Sequence, residues 1–489
     1  MSSLEDIREN RLKKLELLKS KGINPYPVNS KKDFCLEELI SDFIKLSKRK
    51  TAISVVGRIM SLRPQGGLVF LNFNDGTACF QGLIKKDEMK NELINLFNET
   101  VDIGDFIQFD GFLFKTKRGE KTLLIKNWKM LSKSLKPLPE KWHCLQDVEE
   151  RFRKRYLDTL MSEEVKKRFI TRSRFISELR NYLDKKNFLE VETPILQSLA
   201  GGATAQPFIT HHKALDINLY LRVAPELHLK ELLIGNFPKV YEIGRLFRNE
   251  GIDVTHNPEF TTIEVYEAYA DASKHMDFLE KLLKTVIKKV INKTDFEYNG
   301  NKISFAGKFK RVSFLSLIKQ HSLISDPEKV TREELSLTAQ RLGIKVDETD
   351  SRTKIMDNIY KKTCLPKLIQ PTFIVDYPAE FSPLAKRKEN NPEMIDRYQL
   401  IVAGMEVINA FSELNDPIDQ HHRFLEQEKI REGGDEEAHP HDQEYIEAME
   451  YGMPPAGGIG MSIDRFVMLL TDARNIKEVI LFPTLRPKK

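Results

Sequence analysis

The chain is predicted to be an α+β protein in two folded parts. A small five-stranded β-barrel follows an N-terminal helical segment, and a larger domain then sets an antiparallel sheet among helices. Three observations predict this. Hydrophobic spacing changes from helical to alternating near Ile53, and five short β-runs follow before Leu135. Beyond Pro137-Leu138-Pro139, a long amphipathic helix leads into separated strands that carry aromatic and charged groups on one face.

Residues 1–50 are expected to be helical, because Ile7, Leu12, Leu15 and Leu18 recur at helical spacing until Gly22-Ile23-Asn24-Pro25 stops the run. The barrel strands are read at Ile53–Ile59, at Leu68–Phe73 (stopped by Asn74-Asp75-Gly76), at Cys79–Ile84, at Asp105–Asp110 and at Thr122–Ile125. Five strands within 51–135 suggest an oligonucleotide-binding (OB) barrel, the commonest small barrel of that count. Residues 136–155 are read as a stiff, proline-bearing linker and 156–489 as the second domain. There Phe169, Phe175, Ile176, Leu179, Tyr182 and Leu183 share a helix face, and Phe188–Leu196 reads as a strand ended by Pro194. Residues 271–390 read as mostly helical inserted material, to which no chemistry is assigned.

Composition narrows the class. With 40% hydrophobic and 30% charged residues, the 489-residue chain is that of a globular protein, and its net charge of +5 neither requires nor excludes nucleic acid. The stretch from Lys115 to Lys141 holds nine basic and two acidic residues, which is either a phosphate-facing patch or a solvated basic face. The four cysteines, Cys35, Cys79, Cys144 and Cys364, include no C-x-x-C pair, which argues against a zinc ribbon or disulfide framework and fits a reducing compartment. No apolar run is long enough for a membrane span and no signal-peptide pattern is present, so a cytoplasmic protein without membrane contact is expected.

Alternate residues of a strand share a face. Arg248 and Glu250 form one such pair, Phe260, Thr262, Glu264 and Tyr266 a second set, and Asn409, Phe411 and Glu413 a third, while Ile263 and Val265 lie on the opposite face of the second. Such faces either meet solvent or line a ligand site; rings mixed with acids favour the ligand site. Gly458-x-Gly460 lacks the Gly-Lys-Ser/Thr ending of a phosphate loop and has no dinucleotide-binding spacing.

Phe247-Arg248-Asn249-Glu250, then His256-Asn257-Pro258-Glu259-Phe260-Thr261, then Gly458-Ile459-Gly460-Met461-Ser462-Ile463-Asp464-Arg465 resemble motifs 2 and 3 of class II aminoacyl-tRNA synthetases. The helix, strand and proline around residues 169–196 look like motif 1, which in that family forms the dimer interface. From Gly22-Ile23-Asn24-Pro25-Tyr26-Pro27 to Leu481-Phe482-Pro483 the chain resembles the lysine-specific, bacterial-type members. The resemblance implies ATP-dependent activation of L-lysine to an adenylate, transfer to tRNA(Lys), magnesium ions and a homodimer. It implies that Arg248 holds the α-phosphate and the substrate carboxylate and that Glu250 and Asn257 read adenine. Phe260 would stack on the base, Arg465 would cover its other face and reach the γ-phosphate, and His256 would touch the terminal phosphate. Glu406 is the implied magnesium carboxylate.

For the amino acid, the resemblance implies Glu226 on the α-amino group, Glu264, Tyr266 and Glu413 on the ε-ammonium, and Asn409 on the carboxylate. Phe411 would wall the stem and Gly202 would make a backbone contact. Three carboxylates and a phenol with no basic partner among these positions suit a cation. Two departures count: Gln399 where a second metal-binding glutamate is usual, and Thr255 where an arginine often precedes the histidine; Ser462 for the third glycine of motif 3 is a minor change. On the barrel the resemblance implies anticodon contacts by Arg58, Phe70, Gln81 and Glu120, although Phe70 could be plain core. Two alternatives remain: a synthetase-like regulator that binds nucleic acid without charging it, and a paralogue that attaches lysine to protein. The first is disfavoured by the presence of Arg248, Glu250 and Arg465, the second by the five candidate barrel strands.

Overall fold

A Ser3–Asp6 capping box starts the first helix, α1 (Leu4–Ser20): the Ser3 hydroxyl accepts the Asp6 amide and the Asp6 carboxylate accepts the Ser3 amide. The structure, a computed structural model, describes residues 3–49, 51–139, 147–348, 350–433 and 438–488. Lys141, Cys144 and residues 140–146 of the expected linker lie outside the described residues. The chain divides into two compact units, 1–145 and 146–489.

In the first unit, the segment expected to be helical throughout is broken. After α1 come only two short helices, α2 (Leu36–Ser41) and α3 (Phe43–Lys48), because Pro25 and Pro27 follow Gly22 and cannot continue a helix. The strands are β1 (Ile53–Gln65), β2 (Leu68–Asn74), β3 (Cys79–Lys85), β4 (Phe106–Lys115) and β5 (Lys121–Ser132), with α4 (Asn91–Thr100) between β3 and β4. They close in the order β1-β2-β3-β5-β4, which leaves no free sheet edge. Val55, Ile59, Leu71, Phe73, Phe109, Leu123 and Ile125 fill the core.

The basic stretch is not one open patch. Lys133 is buried between Asp102 and Asp105, 2.5 and 2.8 Å away, Lys126 pairs with Glu88, and Lys121 and Lys129 donate to the Ile40 and Asn29 carbonyls. Strand alternation and a bulge near Asp110 turn these side chains to different surroundings.

The second unit opens with α5 (Val148–Arg153), α6 (Arg155–Met161) and α7 (Glu163–Asp184), then β6 (Leu189–Glu190), β7 (Leu196–Gln197), β8 (Phe208–His212), β9 (Ile217–Leu221) and α8 (Glu226–Ile234). The hairpin β10 (Lys239–Phe247) and β11 (Glu259–Ala268) leads to α9 (Ala272–Ile291), then β12 (Asp295–Tyr298), β13 (Asn301–Ser304) and β14 (Lys310–Ser313). Helices α10 (Phe314–His321), α11 (Arg332–Arg341) and α12 (Arg352–Thr363) precede β15 (Thr372–Val375), β16 (Tyr377–Pro378), β17 (Arg387–Lys388) and β18 (Asn391–Ile395). Last come β19 (Arg397–Val402), β20 (Met405–Ser412), α13 (Pro417–Glu432), α14 (Gln443–Glu450), β21 (Ala456–Ser462) and α15 (Ile463–Leu470).

Eight strands form the main sheet in the order β14-β15-β19-β20-β21-β11-β10-β6, with antiparallel pairings in the centre and a parallel pairing at each edge. One face carries Ile263, Val265, Ile408 and Ile459 against Phe175 and Leu179 of α7, Leu283 and Ile287 of α9 and Phe466 of α15. The opposite face holds the alternating polar and aromatic sets. Two expectations need correction. Phe188–Leu196 is not a continuous strand: Leu189–Glu190 pairs with β10, Leu196 pairs with Leu221 of β9 in a separate small sheet, and the run between them through Pro194 is irregular. Residues 271–390 are not mostly inserted helix either, since β14 and β15 complete the main sheet; Thr372-Phe373-Ile374-Val375 is too short an apolar run for its periodicity to separate strand from helix.

Candidate active site

A cavity of about 310 Å³ lies on the polar face of the main sheet, floored by β11, β20 and β21 and reached by the loop after β10. Glu264 and Tyr266 enter from β11, Asn409 and Phe411 from β20, and Glu413 from just beyond its end. Arg248 and Glu250 are not strand residues as their spacing suggested, because β10 ends at Phe247; the Arg248 amide still donates to the Pro258 carbonyl (2.9 Å), so the hairpin loop holds both beside the cavity. The close approach of β21 requires glycine: a Cβ at Gly458 would lie 2.0 Å from Glu413 Oε1 and 2.6 Å from the Tyr266 ring. At Gly202, with φ of +90°, a Cβ would lie 2.9 Å from that of Glu226.

One end of the cavity is acidic. Glu226, Glu264 and Glu413 are all buried, and the Tyr266 hydroxyl donates to Glu264 Oε2 at 3.0 Å. Burial, reinforced by the Glu226 charge, pushes the Glu264 carboxyl up to about 8. Burial also pushes Glu413 up to about 8 and raises Glu226, in both cases against the pull of Lys230. The sequence suggested no basic partner here, and Lys230 corrects that. It stands one turn after Glu226 on α8, with Nζ 2.6 Å from Glu226 Oε1, 2.5 Å from Glu413 Oε2 and 5.4 Å from the centre of the Phe411 ring. The Glu413 contact has the distance of an ion pair without hydrogen-bond geometry, and both Glu413 oxygens lack a donor. A buried carboxylate without donors is costly unless a ligand supplies them.

The other end carries the cations. Arg248 lies over the Phe260 ring, 5.2 Å from its centre, and its Nε is buried without a partner. Arg465 donates through Nη1 to the Glu406 carbonyl (2.7 Å) and through Nη2 to His256 Nε2 (2.9 Å). His256 Nδ1 faces Asp253 at 2.8 Å, an arrangement in which Nδ1 carries the proton and Nε2 accepts. Asn257 donates from Nδ2 to the Glu259 carbonyl (2.7 Å), which leaves its Oδ1 buried and unpartnered, a ready acceptor for an exocyclic amine. Asp464 ties the three motif segments together: it pairs with Arg172 of α7 and accepts the Thr261 amide at 2.7 Å.

Glu406 is the carboxylate available to a magnesium ion. Among the described residues no group of three His, Cys, Asp or Glu side chains could hold a metal. A single carboxylate fits magnesium all the same, since that ion is commonly held by one or two carboxylates with substrate phosphates and water. Gln399 does not supply a ligand oxygen here: its Nε2 donates to Glu406 Oε2 (2.8 Å), and its Oε1 accepts from the Tyr377 hydroxyl (2.6 Å).

Sequence reasoning missed three residues around the cavity. Lys230 had a signal, its four-residue spacing from Glu226 on a helix. Arg397 lines the cavity and donates to Asn409 Oδ1 at 2.9 Å, leaving the Asn409 amide N–H groups for a carboxylate. His439 accepts the Gly202 amide at Nε2 (2.7 Å), and burial holds its imidazole down at about 4, so it is a neutral acceptor. Arg397 stands two residues before Gln399 on the strand beside Asn409, so strand alternation was its signal; His439 had none, because it acts from a loop 237 residues after Gly202.

In the first unit, Val69, Leu71 and Phe73 point into the barrel, and Phe70 lies on the outer face with Asn72. Asn72 is opposite Gln81, and Asn74 opposite Arg58, so Arg58, Phe70 and Gln81 share that face. Arg58 stacks on Phe106, 4.3 Å from its centre, Gln81 donates to Thr122 Oγ1 (2.8 Å), and Glu120 is exposed in the turn before β5.

Residues 147–486 match the family described as tRNA synthetases class II (D, K and N). The chain belongs to that family. Residues 53–131 match the OB-fold nucleic acid binding domain. Among curated relatives, lysine–tRNA ligase of Pelotomaculum thermopropionicum is 48% identical over 99% of this chain and 96% of its own length. Those of Carboxydothermus hydrogenoformans and Thermotoga maritima are 46% and 43% identical, each over 99% of this chain and 99% and 97% of their own lengths. No helix among the described residues is long and apolar enough to cross a membrane.

Proposed function

We propose that this chain is a lysine–tRNA ligase, which forms lysyl-adenylate and pyrophosphate from L-lysine and ATP and then esterifies the terminal adenosine of tRNA(Lys). The observation that carries the choice of amino acid is the buried acidic end of the cavity, where both Glu413 oxygens lack a donor. An ε-ammonium supplies the missing donors, with Glu264 and Tyr266 beside it, Phe411 along the carbon stem, and Glu226 and the Gly202 backbone at the α-amino group. Asn409 and Arg248 hold the carboxylate.

The chemistry needs no enzyme nucleophile. A carboxylate oxygen of lysine attacks the α-phosphorus of ATP, the bond to the β-phosphate oxygen breaks, and pyrophosphate leaves. A ribose hydroxyl of the tRNA then attacks the adenylate carbonyl, losing its proton as AMP departs. Arg248 brings two mutually repelling anions together and meets the charge that grows on the α-phosphate. Phe260 and Arg465 sandwich the base, Glu250 and the free Asn257 Oδ1 take its polar edge, and His256 with Arg465 receives the outer phosphates. Magnesium, held by Glu406 and phosphate oxygens, would supply further charge neutralisation. The barrel face with Arg58, Phe70, Gln81 and Glu120 reads the anticodon, and the exposed Leu189, Ile195 and Leu196 of the motif 1 region are the apolar surface for a homodimer partner. The reading places the enzyme in the cytoplasm, where its tRNA is.

ATP–pyrophosphate exchange with each of the twenty amino acids tests the assignment. Exchange should require L-lysine and magnesium, and Arg248→Ala should reduce it by two orders of magnitude or more, roughly the loss of a charged contact at the reacting centre. Exchange driven equally by another amino acid, or undiminished in the Arg248 variant, would overturn it.

A further inference from the structure

A lysine already sits behind this pocket. Lys230 has no exposed side-chain surface, does not line the cavity, and lies behind Glu226 and Glu413 with its ammonium against both. Burying an ammonium is expensive unless carboxylates compensate it, so its place is set by those two groups and theirs by it. With all three carboxylates ionised, the pocket holds three negative charges against the single positive charge of Lys230. The remainder is two, the number of ammonium groups on free lysine.

We propose that Lys230 is a positioning residue for substrate lysine: it fastens Glu226 and Glu413 at one spacing and leaves the pocket the two negative charges that the α- and ε-ammonium groups neutralise. The inference rests on the lysine–tRNA ligase reading and adds a residue to it.

Other groups facing this cluster do not replace Lys230. Tyr266 and Glu264 approach from β11, and Tyr445 from α14; the phenols are held protonated by burial. His439, from the loop before α14, is neutral. Arg222 is committed to Glu242. Without Lys230 three buried carboxylates would face each other with no resident cation, so one would keep a proton even with lysine bound and the fixed spacing of Glu226 and Glu413 would be lost.

The test is the lysine and ATP dependence of pyrophosphate exchange from pH 6 to 9 in the full chain and in Lys230→Met, which keeps the length and removes the charge. The expected result is a rise of about tenfold or more in the lysine KM with the ATP KM within about twofold, the scale of losing a charged contact on one substrate only. The alkaline rise of kcat/KM for lysine should also move up by about one pH unit, because carboxyls deprived of a neighbouring cation hold their protons longer. Lys230→Gln, a neutral side chain that retains a donor for Glu226, should show the same pH displacement, and it stands in should Lys230→Met fold poorly. An unchanged lysine KM and pH profile, or equal losses for lysine and ATP, overturns the proposal. Absence of lysine-dependent exchange in the unaltered chain is a different outcome, which sinks the lysine–tRNA ligase reading itself.

Discussion

Arg465 donates a hydrogen bond to Nε2 of His256 across 2.9 Å, joining the start of the last helix to the loop of the β10–β11 hairpin. The same guanidinium holds the Glu406 carbonyl, so the three separate segments that carry Arg465, His256 and Glu406 are connected to one another. Lysine cannot reproduce a planar fork that serves two acceptors. Arg465→Lys should therefore lower kcat for pyrophosphate exchange on the order of a hundredfold while the fold is retained. A variant within twofold of the parent would show the connection to be incidental.

Glu413→Gln keeps the shape of the acidic end and removes its charge. A buried charge-assisted contact to the ε-ammonium weakens by ~2–4 kcal/mol. Lysine binding measured by calorimetry should fall accordingly, with ATP binding nearly unchanged. Equal losses for both substrates would make Glu413 a structural residue.

Lysine binding should be coupled to proton release. Burial lifts Glu264 and Glu413 to about 8, so the empty pocket holds protons at neutral pH that the two ammonium groups must displace. The kcat/KM for lysine should rise from pH 6 to 8 and level off above. Calorimetry at pH 7 in buffers of different ionisation enthalpy should register at least about one proton released per lysine. The sign for stability follows from the same groups. Carboxyls with a raised folded pKa stabilise the empty protein below their unfolded value of 4.5 and lose that contribution as pH climbs through about 8. The increase in Tm on adding lysine should therefore grow over that interval; a lysine affinity independent of pH would contradict the whole account of the acidic end.

Phe70→Ala removes an outward-facing ring and leaves Val69, Leu71 and Phe73 packed inside the barrel. Loss of one base–aromatic stack costs ~1–3 kcal/mol, so tRNA charging should drop roughly 5- to 150-fold while lysine-dependent exchange without tRNA stays the same. Salt should weaken tRNA binding with the same slope in both proteins, because the ring neutralises no phosphate. Parallel losses in exchange and charging would mean that the ring supports the fold instead.

Local order was legible in the sequence where period and position are local properties. The alternation of Val69, Leu71 and Phe73 with Phe70 and Asn72, and of Ile263 and Val265 with Glu264 and Tyr266, divided each strand into two faces because side chains on a strand must alternate; which face of β2 is buried was left open, and the barrel core takes Val69, Leu71 and Phe73. Motif residues such as Arg248, Phe260 and Arg465, which the resemblance assigned to ATP, line the same cavity. Their spacing along the chain is tied to a hairpin and to a strand–helix junction. What the sequence left open depended on partners distant in the chain. Thr372–Val375 became part of the main sheet only because β14 and β19 flank it. Gln399 turned out to donate to Glu406, a choice made by the Tyr377 hydroxyl on its other side. Lys133 belongs to a basic stretch that read as either a phosphate-facing patch or a solvated face, and Lys230 behind the cavity drew no reading; both are buried because carboxylates surround them. The charge of a buried group is decided by what the fold brings against it, and that only the tertiary structure could supply.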